Sequence, residues 1–125
     1  MTAIKIFTCC YGGIRIKVRV LPTIEDVHRE YTKGKRMRNG KTVHAFFAPM
    51  YSKSAKYTGT MVLPMNGRLE ELIPHETVHA VMGTMGAVHC SEDENLATAV
   101  GILSARISRK LSALLRGNTQ ESRDR

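Results

Sequence analysis

A run of seven residues near the start of the chain alternates strictly between apolar and basic side chains, and it limits the fold more than any other feature. Residues 14–20 read Ile-Arg-Ile-Lys-Val-Arg-Val. A period of two is typical of a β-strand that buries one face and leaves the other in water. We therefore expect a sheet that other elements cover on one side of this strand.

The rest of the chain predicts a few further strands and helices, and the segment Cys10-Tyr11-Gly12-Gly13 predicts a turn that joins the first two strands in a hairpin. Pro74 lies inside an apolar helical pattern, where it either starts the main helix or kinks it. The predicted fold class is α+β, a small, twisted, mainly antiparallel sheet packed against the helix that holds His75 and a C-terminal helix. The predicted strands are residues 4–7, 14–21, 43–48 and 57–63, and the predicted helices are a short one capped by Thr23, one at residues 68–85 and one opened by Ser91.

The length of 125 residues favours a single domain. We place that domain at residues 1–117 and expect the polar segment 118–125 to be a disordered tail. The three cysteines are an odd number and suit a reducing cytoplasm better than a disulfide framework. No apolar run is long enough to cross a bilayer, so we expect no membrane partner.

The chain is strongly basic, with 19 Lys and Arg against 11 Asp and Glu and a formal net charge of +8. Such a charge favours an acidic partner or nucleic acid, although a solvated surface alone also explains it. A loop at residues 33–41 holds five of the basic residues and would be the contact surface. No aromatic residue interrupts the basic stretches, as a stacking platform for nucleic acid would require.

One short motif points to a specific chemistry. His75 and His79 are four residues apart, which on a helix places both imidazoles on one face where both reach a single ion. Glu76 lies beside them and is expected to act as the general base that takes a proton from a zinc-activated water. The alternative is that two histidines share a helix face without binding metal.

A catalytic zinc site needs a third protein ligand and leaves the fourth position to water. The residues that follow the motif offer four candidates, and two of them, His89 and Cys90, are expected to flank the site rather than bind the metal. The carboxylates of Glu94 and Glu92 are the better candidates. Glu94 has an alternative role, because it is the third residue of a possible capping box opened by Ser91.

Residues 94–101, Glu-Asn-Leu-Ala-Thr-Ala-Val-Gly, resemble the second motif of the gluzincins, the metallopeptidase clan of thermolysin and neprilysin. The resemblance implies that Glu94 is the third zinc ligand, and it is the reason to prefer Glu94 to Glu92. Thr98 stands where the clan has an Asp that orients a zinc-bound His. Its uncharged hydroxyl is a weaker partner for that His.

Residues 72–81 are also similar to the active helix of small zincins, including peptidases encoded by phages. The resemblance spans about residues 57–105 and implies a zinc-dependent metallopeptidase in the cytoplasm of a bacterial or phage-infected cell. No His follows Glu94 to match the downstream catalytic His of thermolysin. Oxyanion stabilisation is then expected from zinc, from an upstream residue such as Tyr57 or His44, or from a partner.

The predicted strand at residues 57–63 has a functional interpretation as well. In zincins, the strand before the active helix is the sheet edge beside the zinc, and an extended peptide adds to such an edge. The candidate substrate contacts are therefore Gly59, Thr60 and Met61, with Gly59 allowing a close approach. An ordinary edge strand explains the pattern equally well.

Two hypotheses from other classes stay open. The motif could be a degenerate or structural zinc site in a basic protein that binds an acidic partner or nucleic acid without catalysis. The chain could also be an interaction protein that holds no metal. Hydrolysis of peptides or proteins, with Zn²⁺ as the cofactor, is the leading prediction.

Overall fold

The computed structural model describes residues 4–33, 40–50, 56–89 and 93–124. Within the helices, the side chains of residues 84–89, 93–95 and 117–124 lie outside that description. The described chain contains four strands and three helices. None of these helices is long and apolar enough to cross a membrane.

The strands are β1 (Lys5–Tyr11), β2 (Ile14–Leu21), β3 (Phe46–Pro49) and β4 (Gly59–Pro64). They form one sheet in the order β1-β2-β4-β3. The pairings β1 with β2 and β3 with β4 are antiparallel, whereas β2 and β4 run parallel. The predicted α+β class with a mainly antiparallel sheet is confirmed. The parallel pair arises because the chain crosses from β2 through a helix and β3 before it returns as β4.

The predicted hairpin joins β1 to β2. Its register pairs Tyr11 with Ile14, so the turn contains only Gly12 and Gly13. Gly12 has a φ of +59°, a left-handed conformation that two-residue hairpin turns require and that glycine adopts without steric cost. The turn therefore fixes the register of the strand pair at the place where the sequence predicted it.

The helices are α1 (Ile24–Thr32), α2 (Leu69–His89) and α3 (Asp93–Asp124). Thr23 caps α1 as predicted, since its hydroxyl accepts a hydrogen bond of 3.1 Å from the Asp26 amide. Helix α2 continues four residues beyond the predicted end, because a glycine weakens a helix without stopping it. Helix α3 runs to Asp124, and it includes residues 118–124, which were expected to be a disordered tail. Polar composition alone carries no helix stop signal.

The alternation in β2 produces the predicted half-buried strand. Ile16, Val18 and Val20 are fully buried, and they form one core with side chains from α2 and α3. The opposite face of the sheet carries a smaller cluster in which Val27 of α1 packs on Leu21 and Val62. Helices α2 and α3 therefore cover one face, while α1 covers part of the other.

The outer edge of β1 is covered by two cations from α3. Arg106 donates a hydrogen bond of 2.6 Å to the carbonyl oxygen of Cys10, and Lys110 donates one of 2.7 Å to that of Thr8. The distance between residues four apart on α3 thus matches the distance between residues two apart on β1, so both cations reach carbonyl groups of the same strand. These bonds occupy carbonyl groups that a second strand would need in order to pair with this edge.

The other edge of the sheet is β3, and this corrects the predicted substrate strand. Strand β4 lies inside the sheet, where Gly59, Thr60 and Met61 each pair with a residue of β2 on one side and of β3 on the other. Their backbone groups are therefore used within the sheet, and an added peptide strand cannot pair with them. The prediction that these three residues form an edge is wrong because periodicity does not reveal strand order.

Gly59 does mark a close approach, as the sequence suggested. The aromatic ring of Phe47 lies over its Cα, and a Cβ at this position would also lie 2.9 Å from the carbonyl oxygen of Ala48. Phe47 packs against the core from β3, and its ring occupies the space that a side chain at position 59 would need.

We predict that Gly59→Ala destabilises the protein by about 1–3 kcal/mol, because the new methyl group collides with Phe47 and with a backbone oxygen that cannot move freely. Urea denaturation measures the change. Gly13→Ala is the matched control, since no atom lies within 4 Å of its added Cβ. A cycle with Phe47→Leu should show coupling between the two positions. Additive effects, or a Gly59→Ala protein as stable as the parent, would contradict this packing.

Candidate metal site on helix α2

Helix α2 passes through Pro74 instead of beginning there. The helix starts five residues earlier, at Leu69, so the alternative in which Pro74 opens it is excluded. Proline removes one backbone donor, whose acceptor would be the carbonyl of the exposed residue Glu70. The buried hydroxyl of Thr77 donates a bond of 2.6 Å to the carbonyl oxygen of Ile73 in the same turn. The helix therefore continues through Pro74 into the motif without the backbone hydrogen bond that another residue at this position would donate.

Burial on α2 decides where the motif side chains lie. Ile73, Thr77 and Ala80 are buried against the sheet and α3. His75 and His79 lie at the margin of this buried face and are exposed. The helix thus presents both imidazoles to solvent beside β3, which is the arrangement that the four-residue spacing predicts.

The two imidazoles have a separation that fits a shared metal ion. Their ring centroids are 5.0 Å apart and the rings meet edge to face at 68°. Two imidazoles bound to one tetrahedral zinc, with Zn–N distances of about 2.0–2.1 Å, place their centroids roughly 5 Å apart. The separation of the His75 and His79 rings is therefore the one that two imidazole ligands of a single zinc ion have.

Glu76 is a buried carboxylate next to these imidazoles. Its side chain is only 7% exposed, and its Oε2 lies 3.9 Å from Nε2 of His75. Loss of solvent raises the pKa of the Glu76 carboxyl, and the positive charge that His75 and His79 can carry opposes this only in part. The group is thus a stronger base than an exposed glutamate, and it lies within reach of anything bound between the histidines.

An open cleft of about 400 Å³ lies between α2 and β3. Its floor is formed by the motif and its opposite wall by apolar residues of β3 and of the segment before it. A second cleft of about 380 Å³ continues from it past His44. The lining of the first cleft includes Tyr31, Val43, Phe47, His75, Glu76 and His79.

The third metal ligand is not tested by the described residues. Glu94 lies in the first turn of α3 and His89 is the last residue of α2, but their side chains are outside the described part of the structure. Glu92 and Cys90 lie outside the described residues altogether. Among the described side chains, no group of three or more His, Cys, Asp or Glu could hold a metal ion. The assignment of Glu94 stays a prediction.

Thr98, the predicted partner of a zinc-bound His, lies on an exposed part of α3. The face of α3 that packs in the core contains Ala99, Leu103 and Ile107 instead. No hydrogen bond joins Thr98 to either imidazole among the side chains that the structure describes. Its orienting role also stays a prediction.

The two candidates for oxyanion stabilisation, His44 and Tyr57, differ in whether they line a cleft next to the motif. His44 lines the same cleft as His75 and Glu76. The ring of Tyr57 lies beside Arg15 and Lys17 and lines neither cleft around the motif. Of the two, His44 is the residue that a substrate in this cleft would meet.

Several residues of the cleft were not identified from the sequence. Phe47 and Val43 carry no motif, and they reach the cleft only because β3 pairs at the edge of the sheet. His28 carries no motif either, and its Nδ1 accepts a hydrogen bond of 3.0 Å from the Val43 amide. This bond ties the segment before β3 to α1, and it requires Nδ1 to be unprotonated.

The chain was compared with known protein families, curated proteins and solved structures. No protein family, curated protein or solved structure matches the chain. The case for the site therefore rests on the geometry of its own residues.

We predict that Glu76→Gln stabilises the metal-free protein at neutral pH. Because burial raises the Glu76 pKa in the folded state, stability is greatest below the ordinary value of 4.5 and is lost as the pH rises through the raised value. Glutamine does not ionise and escapes that loss. Thermal melting with chelator at several pH values should show a gap between the two proteins that closes on acidification.

Glu70→Gln is the control, since it makes the same chemical change at an exposed position in the first turn of α2. That carboxylate interacts favourably with the helix dipole, so its loss should be neutral or slightly destabilising. A parent protein that gains stability from pH 5 to pH 8 relative to Glu76→Gln would contradict the assigned burial of the carboxylate.

Proposed function

We propose that this protein is a zinc-dependent peptidase whose metal is held by His75 and His79 and whose general base is Glu76. The observation that carries the proposal is the grouping of two imidazoles, 5.0 Å apart, with a desolvated carboxylate at the floor of an open cleft. A purely structural zinc site needs no buried base beside its ligands. A hydrolytic site, by contrast, needs a base that takes a proton from the attacking water.

Zinc at this position would polarise a scissile carbonyl and acidify a water molecule. The task of Glu76 is to take the proton from that water and to return it to the leaving amine. Burial suits this task, because the raised pKa makes the carboxylate a more effective proton acceptor near neutral pH. His44, on the wall of the adjoining cleft, is positioned to donate a hydrogen bond to the developing oxyanion.

The edge strand β3 supplies a surface for an extended peptide substrate. Among the strands that the structure describes, it pairs with β4 alone, and it lies along the cleft that contains the motif. A peptide added to such an edge is held by main-chain hydrogen bonds, which are independent of its sequence. Phe47 and Val43 favour an apolar side chain next to the scissile bond.

The third ligand is proposed to be Glu94. Its position, one residue into α3, places it near the end of α2 along the chain. The resemblance of residues 94–101 to the second gluzincin motif is what supports this assignment. Glu92, His89 and Cys90 remain the alternatives on the same short segment.

We predict that the purified protein binds about one zinc per chain and that His75→Ala loses nearly all of it. Elemental analysis after dialysis measures the stoichiometry. His44→Ala is the matched control, because it removes a histidine from the adjoining cleft without removing a proposed ligand. Glu94→Ala should lose zinc and Glu92→Ala should keep it. Equal zinc content in His75→Ala and the parent would remove the basis of the proposal.

We predict that Glu76→Gln keeps its zinc and loses peptidase activity by about 10²–10⁴-fold, the usual contribution of a general base. Cleavage of a fluorescence-quenched peptide library, with zinc content measured in parallel, separates the two effects. Glu70→Gln removes an exposed carboxylate of the same helix and should keep both properties. Turnover of Glu76→Gln at the parent rate would exclude this mechanism, whereas a zinc-loaded parent without activity on any peptide would favour a non-catalytic zinc site.

A further inference from the structure

The face of the sheet opposite α2 and α3 is only partly covered. Helix α1 packs over one end of it, on Leu21 and Val62. Toward the other end no helix crosses it in the described part of the chain. The register places on this open face Ile6, Thr8 and Cys10 of β1, Arg15, Lys17 and Arg19 of β2, Thr60 of β4 and Ala48 of β3.

The centre of this open face is a row of three cations. Arg15, Lys17 and Arg19 alternate with the buried core residues of β2 and therefore point to the same side, at intervals of about 6.6 Å. Glu30 of α1 neutralises Arg19 through an ion pair of 2.9 Å. No carboxylate among the described residues forms an ion pair with Arg15 or Lys17. The middle of the face thus carries uncompensated positive charge.

An aromatic ring lies at each end of the cation row. At one end, the ring of Tyr57 has Arg15, Lys17 and Lys56 within 5.7–5.9 Å of its centroid. A hydrogen bond with Thr8 lowers the pKa of Tyr57, and the positive charge of Lys56, Lys17 and Arg15 lowers it further.

At the other end of the row, Tyr31 of α1 and Phe46 of β3 form a pair with centroids 5.1 Å apart. Tyr31 is 48% exposed, so part of this pair faces water. A cleft of about 550 Å³ runs from the pair to Lys17 over Thr60. The aromatic rings that the sequence lacked within its basic stretches are therefore supplied by neighbouring elements of the fold.

We propose that this open face binds single-stranded nucleic acid, with phosphates on Arg15 and Lys17 and bases on Tyr57 and on the Tyr31–Phe46 pair. Rings set among cations are what successive bases and phosphates require. An acidic peptide would use the cations but leave the exposed ring faces without a partner. A duplex would not present its base faces to the rings, because they are stacked inside it.

Three residues of the open face, which the variants below replace, lie outside the proposed metal site. Arg15, Lys17 and Tyr57 line neither cleft that contains His75 and Glu76, whereas Tyr31 and Phe46 line both the cleft of the open face and the first of those two clefts. Binding should therefore survive chelation of zinc and the variant Glu76→Gln, so failure of either proposal leaves the other intact.

Fluorescence anisotropy of a labelled oligothymidine of about twelve nucleotides, titrated with the full chain, tests the proposal. We expect Arg15→Gln combined with Lys17→Gln to weaken binding and to reduce the slope of log Kd against log salt by about 1.4, or about 0.7 for each lost phosphate contact. Arg109→Gln combined with Arg116→Gln removes the same charge from exposed positions of α3 and should leave the slope nearly unchanged. Tyr57→Leu should weaken binding on the order of tenfold, while Tyr57→Phe keeps the ring and the affinity.

Equal losses in the two double variants would overturn the proposal, because binding would then follow net charge alone. Absence of binding at about 50 mM salt would also overturn it, as would tighter binding of an oligoglutamate peptide with the same dependence on Arg15 and Lys17. Photo-crosslinking of a 4-thiothymidine oligonucleotide to the unmodified protein tests the position without any variant. A crosslink at Tyr57, alone or together with Tyr31 and Phe46, supports the proposal, and crosslinks that do not include Tyr57 contradict it.

Discussion

The structure depends on burial of one side of β2. Ile16, Val18 and Val20 are fully removed from water between the sheet and the pair α2–α3, and each contributes roughly 1.5–3 kcal/mol when buried in this way. A strand with a period of two cannot bury this face without turning Arg15 and Lys17 to the opposite side. The hydrophobic core and the positively charged open face are therefore two results of a single sequence pattern.

The same packing fixes the position of the candidate metal site. Thr77 and Ala80 face the core from α2, so the neighbouring positions on the helix surface fall at its margin. Glu76 remains inside that margin and the two histidines remain outside it. The position of this margin therefore determines that a buried carboxylate lies next to two exposed imidazoles, and a rotation of α2 would remove the arrangement.

The sequence predicted those features that depend on local periodicity. The half-buried β2, the hairpin turn at Gly12, the cap at Thr23 and the two imidazoles on one helix face all follow from residues close together in the chain. Strand order does not, because the parallel pairing of β2 with β4 joins residues about forty positions apart. For this reason the edge strand was assigned to β4 rather than β3, and the aromatic neighbours of the basic strand were missed. Tyr57 meets Lys17 only after the sheet has formed.

The two edge strands of the sheet, β1 and β3, have different surroundings, and this difference bears on the proposed functions. Sheets usually protect their edges, because unpaired backbone groups recruit other strands. Here Arg106 and Lys110 of α3 occupy carbonyl groups along β1. Strand β3, at the opposite edge, is short and borders both the cleft that holds the motif and the cleft of the open face, with Phe46 and Phe47 contributing to each. Because β3 is a single edge strand with a cleft on each side, its side chains line both clefts at once, and the strand order of the sheet therefore determines the walls of both.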